Sequence, residues 1–418
     1  MELVKGRKKR PDFLIIGAGI VGLTIARELS IRFSDAGIVV LEKEADLGRH
    51  GSGRNSGVLH SGIYYPAHTL KAKVCRQGAK ELAAFHDAHG LPLRRCGKVL
   101  IPTSEKDLEQ IDLLDQRGRE NGVPAHIIDG RQLAELEPEA NRDFDRALYV
   151  ESTAVGTPAG VLKALQQELV DRGVEIQTGA AVETIDTKRK TLRTRTGEDL
   201  SFGHLVNAAG LFADRLAHQC GVGEHYSILP FKGLYWKLDP ASGIRPQRLI
   251  YPLPDLRVPF LGIHTTTTVD EVTYLGPTAI PAFGRENYRG LDGFRWEEAR
   301  SIASAVTGQL FANRDGFRRL AVREAAHYLK PAFARAARGV LRRLETRHLQ
   351  PCDKVGIRPQ LQDRRTGKLV NDFVVEGGEH STHILNAISP AWTGSFPFAR
   401  MVAEEWIVPA ISSTSPHS

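Results

Sequence analysis

The chain has 418 residues, 41% of them hydrophobic and 25% charged, with a net charge of +7. Those proportions belong to a soluble globular protein of about two domains, and no apolar run reaches the ~18 residues of a spanning helix. Cys75, Cys96, Cys220 and Cys352 are scattered without CxxC spacing. Their arrangement argues against zinc, iron–sulfur clusters and a disulfide framework, and fits a reducing cytosol.

Lys5, Arg7, Lys8, Lys9 and Arg10 precede the first apolar run and read as a solvated tail rather than a signal peptide. Phe13 to Ile16 then predicts a strand, Gly17-Ala18-Gly19-Ile20-Val21-Gly22 a turn into a helix, and Gly37 to Leu41 a second strand ending at Glu42 and Lys43. In such a Gly-x-Gly-x-x-Gly turn the first glycine permits the bend. The second admits a pyrophosphate, and the third lets helix pack on strand. The helix N-terminus presents N–H groups and a positive dipole end to phosphates. Glu42, about 20 residues beyond the glycines, is placed for a ribose hydroxyl.

A Gly/Ser/His-rich loop over 48–62 leads to a helix over 70–89, a short strand over 98–102 and a polar helix over 105–121. Residues 147–150 and 156–158 resemble the entry to another α/β unit, followed by a helix over 159–172 and a strand over 174–178. Alternation over 181–187 and 191–196 predicts an antiparallel meander. His204 to Gly210 reads as a buried strand ending on small residues, and 226–278 as an antiparallel sheet. Helices dominate 296–347. Arginine is densest there, and 332–344 has helical spacing with Phe333, Ala337, Val340 and Leu341 as an apolar face. Such a basic amphipathic helix either lies on an anionic membrane or is simply solvated. A strand at 383–387 and a last helix through Phe398 to Trp406, preceded by Gly394 and Ser395, close the pattern.

The nucleotide fold is therefore not completed locally, the loop after Lys43 is rich in glycine and serine, and no second glycine-spaced nucleotide site exists. All three features favour FAD over NAD. The fold class is α/β (α+β overall): a Rossmann-type FAD-binding domain built from 11–75, 147–215 and 350–410. An antiparallel-sheet substrate domain with helices, 76–146 and 216–349, is inserted in it.

From Asp12 to about Glu405 the chain resembles the FAD-dependent D-amino-acid oxidase superfamily, and within it the L-2-hydroxyglutarate dehydrogenase/oxidase family. The resemblance is carried by Gly53-Arg-Asn-Ser-Gly-Val-Leu-His60-Ser-Gly-Ile-Tyr64-Tyr65 with Leu70-Lys71-Ala72-Lys73. It continues through Pro230-Phe-Lys-Gly-Leu-Tyr235, Ile250-Tyr-Pro-Leu-Pro, Pro259-Phe-Leu-Gly-Ile-His264, Leu275-Gly-Pro, Gly356-Ile-Arg358-Pro-Gln and Asn386-Ala-Ile-Ser-Pro-Ala391. Two departures stand out: Ile388 where the family usually has proline, and Trp392 to Phe396, bulkier than the usual small-residue turn.

The resemblance implies oxidation of L-2-hydroxyglutarate to 2-oxoglutarate, with the Cα hydride passing to flavin N5 and the electrons to a quinone or oxygen. The cofactor carries the redox step, so the protein orients substrate and supplies a base. With 15 histidines present, residue type alone selects none. The motifs point to His264 as base and His60 as orienter or flavin contact, without securely ranking the two. Arg358, in what the family makes a Gly-x-Arg-Pro turn, is expected to hold the substrate carboxylate. Lys71, Lys73 and Lys232 are candidates for the distal carboxylate, and Tyr64 and Tyr251 for hydrogen bonds to substrate. FAD is expected at Gly17, Gly19, Gly22, Glu42, Lys43, Arg54, Ser56, Val182, Ala209, Gly210, Gly394 and Ser395. The expected partners are a small dicarboxylic 2-hydroxy acid and the acceptor, with no nucleic acid. The expected location is cytoplasmic, with peripheral contact on the inner face of the cell membrane as an addition. An oxidase of another 2-hydroxy acid or of an amino acid is the alternative, and after it a non-catalytic basic flavoprotein binding RNA or membrane.

Overall fold

Strands that are apolar on both faces call for a parallel sheet covered on both sides, and the opening segments fold that way. In the computed structural model, which describes residues 10–256 and 260–412, Phe13–Ile16 and Ile38–Leu41 are wholly buried. They lie in a six-stranded sheet ordered Val374–Gly378, Ser381–Asn386, His204–Asn207, Phe13–Ile16, Ile38–Leu41, Glu175–Gln177. All pairings are parallel except that between the first two strands. The basic tail from Lys5 to Lys9, and Pro259 of the family motif, lie outside the described residues.

The chain divides into two units. The first takes the chain up to Gly53, Pro158–Ile228 and the chain from Pro359. Its helix Ile20–Arg32 is buried along most of its length. Arg27 joins that helix to Pro158–Asp171 through Glu168 at 2.9 Å. A three-stranded antiparallel sheet, Val182–Asp186, Thr191–Thr194 and Asp199–Ser201, adds Ile185, Leu192 and Phe202 to a core with Leu14, Val39 and Leu205.

The second unit, Arg54–Thr157 and Leu229–Arg358, is built on a four-stranded sheet ordered Leu249–Pro252, Lys98–Ile101, Ala147–Val150, Ala125–Ile128. A second sheet contains His264–Thr267, Thr273–Gly276, Ile280–Pro281 and the long strands Tyr226–Leu238 and Leu349–Asp363. The two sheets are joined where Ile250 N donates to Thr265 Oγ1 at 2.9 Å. Alternation then sorts side chains. Val99, Ile101 and Ile250 pack with Phe333 and Leu341 on one face, while Leu100, Leu249 and Tyr251 pack with Ile63 and Tyr64 on the other.

Several expectations need correction. Residues 54–75 and 147–157 belong to the second unit, because Val58–Leu59 pairs with Ala154–Gly156 and Ala147–Val150 with Lys98–Ile101. Residues 350–358 also fall in the second unit and 216–228 in the first. Leu249–Pro252 does not join the antiparallel sheet but pairs in parallel with Lys98–Ile101. The helix expected over 332–344 runs only over Lys330–Ala337. Its apolar side chains Phe333 and Ala337, with Val340 and Leu341, are buried in the core. That face has no membrane to meet.

Candidate active site

In the first unit the glycine turn is set by backbone crowding. Gly17 has φ +104°, and a Cβ there would stand 2.5 Å from the Ala208 carbonyl oxygen. A Cβ on Gly22 would come within 1.9 Å of the Gly17 carbonyl oxygen. Past Gly19, Ile20 N at the helix start donates to Ser52 Oγ at 2.9 Å. The Glu42 carboxylate accepts from Ala18 N and from Glu44 N, both at 3.0 Å. It thus ties the glycine turn to the strand end, keeping lone pairs for a ribose hydroxyl. Lys43 reaches the Glu44 carboxylate and lies 5.4 Å over the Phe212 ring.

Val182 opens its strand, Ala209 N donates to Asn207 Oδ1 at 3.2 Å, and Gly210 starts a 3-10 turn with φ +53°. Gly394 is the N-cap of the helix Ser395–Val402. Beside it Trp392 Nε1 and Ser395 Oγ are buried with no hydrogen-bond partner among the described residues. Buried polar atoms are nearly always satisfied, so two orphans at a helix start call for a polar ligand. Together with the crowded glycines, they fit a dinucleotide. Arg54 and Ser56 fall in the second unit, where Arg54 lies 4.2 Å over the Tyr288 ring and donates to the Val355 carbonyl at 3.3 Å.

The second unit gathers His60, His264, Tyr64, Tyr251 and Arg358. The loop carrying His60 and Tyr64 is held by Arg117 Nη1, which donates to the Tyr64 carbonyl at 2.7 Å, and by Asn121 Nδ2 to the Tyr65 carbonyl at 2.8 Å. Cys75 Sγ donates to the His60 carbonyl at 3.2 Å. His264 stacks on Tyr251 with ring centroids 3.8 Å apart, and the Tyr251 hydroxyl is buried with no hydrogen-bond partner among the described residues.

His264 Nδ1 is 2.9 Å from the Gly262 carbonyl oxygen. That contact places the ring proton on Nδ1 and leaves Nε2 with the lone pair. Burial pushes His264 down to about 3, against the pull of the Gly262 carbonyl; Lys98 and Arg358 push the same way. Burial, then Lys98, His264 and Arg358, likewise lower His60 to about 3. Both rings are therefore neutral at pH 7, the state a proton acceptor requires.

Arg358 sits within the strand Leu349–Asp363, not in a turn, its guanidinium 5.1 Å over the Phe260 ring. Among the lysines expected near a second carboxylate, Lys73 is exposed. Lys232 donates to Asn287 Oδ1 at 2.9 Å, and Lys71 lies 5.5 Å over the Tyr65 ring. Lys98, absent from the sequence expectations, sits inside the cluster. It is 0% exposed, 3.1 Å from Tyr64 Oη, and acts on both imidazoles. Its signal in the sequence is alternation, which puts position 98 on the face of Leu100. Arg117 and Asn121 carry no such signal.

The family described as DAO, FAD dependent oxidoreductase, matches residues 12–405. An L-2-hydroxyglutarate dehydrogenase of Escherichia coli is 34% identical over 94% of this chain and 92% of its own. The mitochondrial L-2-hydroxyglutarate dehydrogenase of Homo sapiens is 31% identical over 94% and 88%. Among solved structures, an FAD-bound L-alpha-glycerophosphate oxidase from Mycoplasma pneumoniae aligns with a TM-score of 0.75 at 21% identity, over 94% of each chain. Glycine oxidase from Geobacillus kaustophilus aligns at 0.70 with 15% identity, over 97% of this chain and 96% of its own.

Proposed function

Since the chain belongs to the FAD dependent oxidoreductase family DAO, and is thus an FAD-dependent enzyme, we propose that it oxidises L-2-hydroxyglutarate to 2-oxoglutarate. The observation that carries this reading is the meeting, in one buried cluster, of Arg358 with two imidazoles held neutral. Such a set recognises an acid and accepts a proton from its hydroxyl. The curated relatives named L-2-hydroxyglutarate dehydrogenase support the choice among 2-hydroxy acids.

Gly17, Gly19, Gly22, Glu42, Lys43, Val182, Ala209, Gly210, Gly394 and Ser395 of the first unit would hold FAD. The chemistry supplied by FAD, when bound, is acceptance of the Cα hydride at N5 and delivery of the electrons to a quinone or oxygen. Arg358 clamps the C1 carboxylate with its two-pronged donor set. Nε2 of His264 takes the hydroxyl proton while Nδ1–H stays on the Gly262 carbonyl. His60 orients the hydroxyl, and Tyr64 and Tyr251 wall the site with their rings and hydroxyls. Burial of the cluster keeps bulk water from these groups and strengthens each charge interaction.

A quinone acceptor implies peripheral contact with a membrane. That contact is favoured by Trp296 and Phe311, 73% and 78% exposed at the two ends of the helix Trp296–Ala312. No described helix is long and apolar enough to cross a membrane. The test of the substrate assignment is anaerobic bleaching of the flavin absorbance with a panel of L- and D-2-hydroxy acids and amino acids. Rapid bleaching by L-2-hydroxyglutarate is expected. Bleaching by another acid but not by this one overturns the assignment.

A further inference from the structure

We propose that Lys98, with Tyr64 beside it, is the binding residue for the second carboxylate of the substrate and so sets the preference for a dicarboxylate over a monocarboxylate. The inference rests on the substrate reading above and adds the residue that would enforce it.

Position 98 opens the buried strand Lys98–Ile101, where the other three residues, Val99, Leu100 and Ile101, are core hydrophobes. An ammonium placed among them has a large desolvation cost, which draws Lys98 down to about 7, and an anion beside it is what would restore its charge. Among the described residues no carboxylate pairs with Lys98. Its Nζ has three protons to donate and makes one hydrogen bond, to Tyr64 Oη at 3.1 Å. Otherwise it faces two rings, 4.5 Å from the Tyr64 centroid and 5.3 Å from that of Tyr251. Cys75 is no counter-ion, since burial pushes its thiol up to about 12 and keeps it neutral.

Placement follows from pairing. Lys98 lies opposite Leu249 and Leu100 opposite Tyr251 in the parallel pair. Lys98 is thereby beneath the ring on which His264 stacks. Lys98 and Arg358 both act on His60 and on His264, so both basic side chains lie near the same pair of neutral imidazoles. That charge pattern suits an acid with two carboxylates separated by a short chain. Lys73 is exposed, Lys232 is engaged by Asn287 and Lys71 lies over the Tyr65 ring, whereas among the described residues Lys98 offers donors with no protein carboxylate to take them.

The test compares K98M holoenzyme with wild type on L-2-hydroxyglutarate and on L-2-hydroxyvalerate, which has the same chain length and no distal carboxylate. Flavin absorbance and Tm verify that the variant is folded and loaded. Loss of a charged hydrogen bond predicts a fall of about 10- to 100-fold in kcat/KM for the dicarboxylate, mostly in KM. The monoacid value should fall at most threefold. Equal losses on both acids, or an unchanged ratio, overturn the role of Lys98. A wild-type enzyme bleached by the monoacid but not by L-2-hydroxyglutarate overturns the substrate reading instead.

A calorimetric measurement on wild type holds even if K98M does not fold. Glutarate and pentanoate are bound at pH 8 in buffers of different ionisation enthalpy. With burial holding Lys98 at about 7, the amine is mostly neutral at pH 8, so pairing with the second carboxylate adds proton uptake for glutarate. The titratable and charged neighbours His60, His264, Arg358, Tyr64, Tyr251, Cys75 and Lys71 are common to both measurements. Equal uptake from the two ligands refutes the proposal.

Discussion

Replacing His264 by Gln tests the base assignment and the field around it together. In the ligand-free protein burial, Lys98 and Arg358 hold the ring at about 3, too weak a base for an alcohol. A substrate carboxylate ~4 Å from the ring, at an effective dielectric of ~20, favours the imidazolium by ~4 kcal/mol, or ~3 pK units. Substrate would thereby raise His264 in the complex, toward the ordinary imidazole range. Because kcat/KM reports groups of the free enzyme and kcat those of the complex, their acid limbs should separate. The kcat profile should fall at a higher pH than the kcat/KM profile, as protonation consumes the base. The kcat/KM profile should stay level to roughly pH 5, where the substrate carboxylates begin to protonate. H264Q should lose the kcat limb and about 10²- to 10⁴-fold in kcat, read by anaerobic stopped-flow flavin reduction with FAD retained. Coincident acid limbs in wild type, or an H264Q kcat within about threefold of it, would refute the reasoning. His60 shares the same charges and reaches the same low value, so H60Q run in parallel shows which ring owns the limb.

Three further outcomes are expected. R358L should lower kcat/KM for L-2-hydroxyglutarate by about 10²- to 10³-fold, since it removes one partner of a buried charge pair; an unchanged KM in steady-state assays would rule out the clamp. E42A should purify with well under one FAD per chain, because the carboxylate that holds Ala18 N and Glu44 N in place is gone; a wild-type flavin-to-protein absorbance ratio would count against it. The double variant W296A/F311A should co-sediment with anionic liposomes much less than wild type does, and equal sedimentation would remove the membrane surface from that helix.

The sequence pattern disclosed what the backbone alone demands. The turn at Gly17 and Gly22 was legible because a Cβ at either place collides with main-chain oxygen, and such steric rules are local. Arg358 was legible through its motif, but its strand setting was not. A Gly-x-Arg-Pro segment reads as a turn until Leu349–Asp363 is seen paired along Tyr226–Leu238. The amphipathic pattern over 332–344 was read from real periodicity. What covers its apolar face is Val99, Ile101 and Ile250, from strands distant in the chain. Lys98 was the hardest to see. A lysine at the edge of a short apolar run looks like the strand's boundary. Only the parallel pairing with Leu249–Pro252 turns it into an interior charge.

That interior charge sets a trade-off for anyone engineering this protein. Lys98 is drawn down to about 7 by burial, so between its ordinary value of 10.5 and about 7 the unfolded chain binds the proton more readily. In that window stability declines as pH falls. Methionine of similar length would remove the penalty, and selection for heat resistance without substrate should find K98M early, with a higher Tm than wild type. The same selection would discard the discrimination proposed for that site. Heat resistance and substrate choice would then compete at one side chain.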